Sequence, residues 1–266
     1  MPSNAGTRED RDRRVMSASR FQQALASKPQ VWGGWITAPS FSGPEEFARA
    51  GYDYVGFDAQ HGYLDDADVA VVLRRLEHVP IATAVRLASA DPAPIGRVLD
   101  AGADAIIVAM VDSPEQAAAA VAATRYAPGG VRSFGPLRAS LGHDPAALQS
   151  RVSVFAMIET ADGLAAVEEI CSVPKLSGVY VGPADLAIAL GVSVVKATSN
   201  PQVRDAITRV QRAATTAGVI AGIHAGDGVT GKELAALGFQ MITLAPESQA
   251  LRRGAVAHLD DADGSR

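Results

Sequence analysis

From Val31 onward, short apolar, β-branched runs alternate with amphipathic, alanine-rich stretches. The runs VWGGWIT (31–37), YVGFD (54–58), IATAVRL (81–87) and AIIVAMV (105–111) predict four strands. SVFAMIE (153–159), GVYVGP (178–183), VIAGIHA (219–225) and MITLA (241–245) predict four more. These runs are apolar throughout, as parallel strands covered on both faces are. Helical stretches lie between them, including 44–51, 66–78 and a segment of roughly 247–258 after the last strand. Several open with an acceptor side chain followed by proline, as in DP at 91–92 and SP at 113–114, which suits a first helical turn. Gly51, Gly102, Gly218 and Gly238 close helices, since glycine adopts the left-handed terminal conformation at little cost. Eight βα units in one chain predict a single (β/α)8 TIM barrel. The alternative, a doubly wound open sheet, wants a glycine-rich fingerprint after its first strand, whereas GGW at 33–35 lies inside a strand.

Composition narrows this further. The 266 residues are 48% hydrophobic and 20% charged, which suits a globular core and not disorder. The net charge of -5 and 5% aromatic content carry no signature of nucleic-acid binding. No apolar run is long enough for a membrane span. A lone cysteine, Cys171, forms no internal disulfide and fits a reducing compartment. Residues 1–17 are polar, lack the apolar core of a secretory signal and read as a flexible tail; 18–260 form the barrel domain, and the final DDADGSR is expected to fray. These expectations place the protein in the cytoplasm. The connection from Ala127 to Arg151 is the longest, and its Gly, Pro, Ser and Arg content suggests a functional segment.

Active sites of such barrels lie at the C-terminal ends of the strands. Trp35, Thr37, Asp58, His61, Arg86, Met110, Asp112, Glu159, Asp185, His224 and Glu247 stand there. Glu159 ends an apolar strand, so its carboxylate needs a cation or an arginine partner. Asp185 follows a Gly-Pro-Ala turn and reads either as a metal ligand or as a helix N-cap. Two oxygen ligands suit Mg2+, Mn2+ or Co2+ better than a thiolate metal. Backbone N–H groups at the 182–185 turn can receive a carboxylate. Arg86 reads as a structural ion-pair partner or as a group facing an oxyanion. Asp58, three residues before His61, is placed to orient its imidazole and raise its basicity. His224 reads as a substrate contact or a structural residue, and the AGDG stretch (225–228) as a phosphate cradle or a short loop.

An ordered series of segments then points to a family. It comprises the tryptophan of GGW, AGYDYVGFDAQHG (50–62), AVRLASADPAPIGRVLDAGADAIIVAMVDSPEQA (84–117), ATRYAPGGVRSFG (123–135), MIET (157–160) and VGPADLAIALG (181–191). The chain thereby resembles the HpcH/HpaI family of class II (metal-dependent) pyruvate aldolases, over nearly everything from Gly33 to about Leu251. The resemblance implies a barrel of the phosphoenolpyruvate/pyruvate-type superfamily. It implies Glu159 and Asp185 as ligands of a divalent metal (Mg2+, Mn2+ or Co2+), His61 as the catalytic histidine supported by Asp58, and Arg86 as the arginine that stabilises the pyruvate enolate. Substrate would be bound by Trp35 and by the backbone of Gly182, Pro183, Ala184 and Asp185. The implied partners are a 2-oxo acid and an aldehyde, together with further copies of the chain in a hexamer or trimer of dimers that exchanges the C-terminal helix. Two departures stand out: Gln60 replaces the family's usual Glu before the histidine, and Ser133 interrupts the usual G-x-R-G-x-G loop.

The expected reaction is aldol cleavage or condensation of 4-hydroxy-2-oxo acids, giving pyruvate and an aldehyde through a metal-stabilised enolate. None of the strand ends above carries a lysine, so no Schiff base is required. An oxaloacetate decarboxylase or another carbon–carbon lyase on the same site is the alternative, and a non-catalytic 2-oxo-acid-binding barrel is a third reading.

Overall fold

The computed structural model describes residues 18–264 apart from Lys196. The tail expected at 1–17 lies outside the described residues. Eight strands, each parallel to the next, close into a barrel in chain order. They are β1 (Val31–Ile36), β2 (Tyr54–Asp58), β3 (Ala82–Leu87), β4 (Ala105–Val108), β5 (Ser153–Ile158), β6 (Gly178–Val181), β7 (Ile220–His224) and β8 (Met241–Pro246). The expected strands are all present, with ends that differ by a few residues.

The two-residue side-chain period divides the buried residues into two shells. Val55, Phe57, Val85, Ile106, Val154 and Val179 face outward and form one continuous core with the helices. Trp35, Tyr54, Ala84, Ile107, Phe155 and Tyr180 face inward and fill the barrel. Gly56 is needed beneath Trp35, because any Cβ there would run into the indole ring. Midway along the barrel, the hydroxyls of Tyr54 and Tyr180 both meet Thr243 Oγ1, at 2.8 and 2.7 Å. That network satisfies buried groups that would otherwise be costly.

The helix Arg20–Ser27 is one that the apolar pattern does not predict. Its signals are short: Phe21, Ala24 and Leu25 form a one-turn apolar stripe against the barrel, and Ser19 caps the helix in a box with Gln22. Phe21 meets Tyr54 and Phe155 edge-on, with ring centroids 5.5 and 5.9 Å apart, and closes the N-terminal end of the barrel. The long connection also lies at that end. Arg132 binds Asp100 at 2.8 Å, and Leu137 N–H donates to the Asp100 carbonyl at 2.8 Å. Asp100 ends the helix Pro92–Asp100, opposite the barrel mouth. Within one chain the connection expected to be functional braces this end of the barrel. The C-terminal helix extends over Glu247–Asp263, so Asp260–Asp263 are helical where fraying was expected. None of its residues is buried. No helix among the described residues is long and apolar enough to cross a membrane.

Candidate active site

Inward-facing positions recur at every second residue, so the last inward position of each strand forms a ring at the mouth. Trp35 on β1, Asp58 on β2, Arg86 on β3, Glu159 just past β5 and His224 on β7 occupy that ring. All of these except Glu159 line a cavity of about 610 Å3, whose far wall is the 182–185 turn.

Asp58 is the hub. Arg86 grips it bidentately, Nε to Oδ1 at 3.0 Å and Nη2 to Oδ2 at 2.5 Å. The β2–β3 register sets these residues directly opposite each other. The Trp35 indole N–H donates to Oδ2 at 3.2 Å, and the backbone N–H groups of Gln60 and His61 donate to Oδ1. Burial alone would raise the Asp58 pKa, but the Arg86 contacts, the His61 N–H and the Trp35 indole together hold it below the usual carboxylate range. The expectation that Asp58 orients the His61 imidazole is corrected by this geometry. Its carboxylate positions the His61 backbone, and no hydrogen bond among the described residues joins it to the ring. His61 itself stands exposed at the rim of the cavity.

Arg86 is 8% exposed and lies over the Trp35 ring at 5.4 Å. Nε and Nη2 hold Asp58, and Nη1 has no protein hydrogen-bond partner among the described residues. The arginine is thus both an ion-pair partner and a cavity-facing donor.

Glu159 is 1% exposed. Oε1 accepts from Met110 N–H at 2.9 Å. Met110 has a left-handed backbone, φ 54°, a conformation that carries strain in a non-glycine residue and clusters at functional sites. Oε2 is buried with no partner. It lies against Gly182, where any Cβ would collide with it. Burial raises the Glu159 pKa, opposed by the Met110 N–H and reinforced by the nearby charge of Asp185. Asp185 sits in the first turn of the helix Pro183–Ala189, whose N-cap is Gly182 with no side-chain cap. The N-cap reading of Asp185 therefore does not hold. A buried, partnerless carboxylate oxygen beside a second carboxylate calls for a cation. Two hard oxygen donors match Mg2+, Mn2+ or Co2+, with other positions open to water or substrate. No group of three or more His, Cys, Asp or Glu able to hold a metal occurs among the described residues.

Other strand-end candidates are engaged elsewhere. Asp112 accepts from the Thr160 hydroxyl. Glu247 accepts from the backbone N–H groups of Thr37 and Ala38, at 2.9 and 3.1 Å, and ties β1 to the C-terminal helix. Gln60 keeps its Oε1 buried without a partner. Cys171 is buried, and burial pushes its thiol up to about 12, which suits a packing role.

A parallel eight-stranded barrel with this ring of charged residues around its mouth cavity has the layout of a barrel enzyme. Residues 33–253 match the family model described as HpcH/HpaI aldolase/citrate lyase. The chain belongs to this family, and its reaction class is that of a carbon–carbon lyase. It is 38% identical over 232 residues to a hydroxypyruvate/pyruvate aldolase of Rhizorhabdus wittichii, covering 86% of this chain and 92% of that protein. A 4-hydroxy-2-oxovalerate aldolase of Rhodococcus jostii is 36% identical over 211 residues, covering 76% of this chain and 80% of that one. Among solved structures, an HpcH/HpaI aldolase/citrate lyase family protein of Burkholderia cenocepacia J2315 superposes with a TM-score of 0.82 at 31% identity. That match covers 91% of this chain and 98% of the other.

Proposed function

We propose that the chain cleaves and forms the C3–C4 bond of 4-hydroxy-2-oxo acids, exchanging them with pyruvate and an aldehyde. The observation that carries this reading is the partnerless Oε2 of Glu159, buried beside Asp185 at the mouth. Glu159 and Asp185 would hold a divalent cation, which when bound supplies Lewis-acid polarisation of a 2-oxo acid. The first-turn N–H groups of Ala184 and Asp185 receive the substrate carboxylate. Arg86 Nη1 faces the C2 oxygen and stabilises negative charge as it develops there. Asp58 keeps the guanidinium in place, and Trp35 walls the site against water. His61, at the rim, moves the proton at the C4 hydroxyl. The relatives' names agree with this substrate class.

The test incubates pyruvate with a panel of aldehydes and reads adducts by mass, with added Mg2+ or Mn2+ and with excess chelator. Adducts that vanish in chelator are expected. Adducts formed equally in chelator would refute the metal role, and CO2 release from oxaloacetate in a parallel incubation, with no adduct from any aldehyde, would refute the aldol assignment.

We also propose a homo-oligomer built through the helix Glu247–Asp263. Leu251, Ala255 and Leu259 recur at four-residue intervals along one face, all exposed. Such a stripe calls for a second copy of the chain to cover it.

A further inference from the structure

His224 ends β7, with its backbone in register with Thr243 on β8. Its ring meets the Trp35 indole edge-on, with centroids 5.5 Å apart. It lines the mouth cavity, and neither ring nitrogen has a hydrogen-bond partner among the described residues. The carboxylate in whose field it lies, Asp58, is fully engaged by Arg86, Trp35 and two backbone N–H groups. No acid–base dyad is therefore built on this histidine. Burial lowers its pKa, the positive charge of Arg86 adds to that, and together they bring it to about 4. At neutral pH it is an uncharged ring that donates one hydrogen bond and accepts one. The rest of its wall offers no side chain of that kind: from β7, β8 and the loop after β7, the lining residues are Ala225, Gly226 and Pro246.

His224 also stands on the barrel strands, in the same ring as Arg86, and not on the rim loops. On the proposed reading, in which Arg86 faces the 2-oxo acid, a side chain at that depth would meet that acid, with the aldehyde farther out. We propose that His224 is a specificity-determining residue that hydrogen-bonds a hydroxyl on carbon 3 of the 2-oxo acid and so favours 3-hydroxylated donors over pyruvate. This rests on the reading of the mouth as the site of a 2-oxo acid. The imidazole adds a neutral hydrogen bond that a hydroxylated donor completes and pyruvate leaves to water. A bond of that kind corresponds to about tenfold in discrimination.

The experiment follows solvent deuterium exchange at C3 of pyruvate and of hydroxypyruvate by NMR, with Mn2+-free Mg2+ as the added metal, so that no aldehyde is involved. It compares kcat/KM for the two donors in wild type, His224→Leu and His224→Asn. The hydroxypyruvate-to-pyruvate ratio is expected to fall about tenfold in His224→Leu. The loss should appear mainly in KM, and His224→Asn, which keeps a neutral donor and acceptor, should recover part of it. A ratio within twofold of wild type in both variants overturns the proposal, as does an equal loss on both donors. If wild type exchanges neither donor, the reading of the mouth itself fails. If it exchanges both and the ratio is insensitive to residue 224, only the role of His224 fails.

Discussion

Replacing Glu159 by Gln separates the stability of the barrel from its proposed chemistry. Glu159 is 1% exposed, with one oxygen bonded to Met110 N–H at 2.9 Å and the other partnerless. Gln has the same shape, keeps the acceptor for Met110, and turns an N–H2 toward the side where Asp185 exerts its charge. An unsatisfied buried polar group costs about 1–3 kcal/mol, and more when charged. The metal-free Glu159→Gln protein should therefore be more stable than wild type by about 1–3 kcal/mol at pH 7.5. For a chain of this size, each kcal/mol corresponds to about 2–4 °C in Tm. The sign with pH follows from the raised pKa of Glu159. In the fold the charged form is the penalised one, so the advantage of Gln is full above the folded pKa and disappears as pH falls below the ordinary value of 4.5. Metal works against this advantage and, where the advantage is below about 2.7 kcal/mol, reverses the order. At a hundredfold excess over Kd, a ligand specific to the folded state adds about 2.7 kcal/mol, and only wild type should gain it. Thermal unfolding of both proteins in chelator, then with Mg2+ or Mn2+, reads all of this. A Gln variant less stable than wild type in chelator, or equal metal-induced shifts in both, would refute the argument.

Three further outcomes follow. Phe21→Ala removes the ring that closes the lower end of the barrel and should lose about 3–5 kcal/mol in urea unfolding; a loss under about 1 kcal/mol would mean that the N-terminal helix is an accessory. Because burial and Arg86 lower the His224 pKa from 6.5 to about 4, the unfolded chain takes up that proton first. Stability should therefore fall as pH drops from about 6.5 toward 4, and wild type should lose about 1–2 kcal/mol more than His224→Gln between pH 7 and 5; parallel pH profiles would contradict this. Leu251→Glu, on the exposed face of the C-terminal helix, should shift the mass seen by light scattering toward the monomer, and an unchanged mass would place the subunit contact elsewhere.

The barrel was legible because its signals are local and repeated. Apolar runs marked the strands, and Gly51, Gly102, Gly218 and Gly238 all adopt the positive φ expected of helix ends. What the pattern missed depends on tertiary contact. The helix Arg20–Ser27 offers only a capping box at Ser19 and Gln22 and the short stripe Phe21, Ala24 and Leu25, and the barrel floor is what makes Phe21 a core residue. Asp58 and His61, three residues apart, looked like a carboxylate–imidazole pair. The parallel register instead sets Asp58 against Arg86, which is 28 positions away. The direction of Glu159 was readable, since Phe155, Met157 and Glu159 share one inward parity. The same parity places His224 after Ile220 and Gly222, so its position at the mouth was available from the strand period. Its neutrality was not, because that arises from burial and from Arg86 on another strand.

In the proposed function, Glu159, Asp185 and Arg86 together activate a 2-oxo acid for carbon–carbon bond chemistry. Deuterium exchange into the methyl group of pyruvate, followed by NMR, tests it most directly. Exchange with added Mg2+ or Mn2+ that stops in excess chelator and is lost in Arg86→Ala is the predicted result. Exchange that persists in chelator would rule out the metal, and exchange that survives in Arg86→Ala at the wild-type rate would rule out the role of the guanidinium.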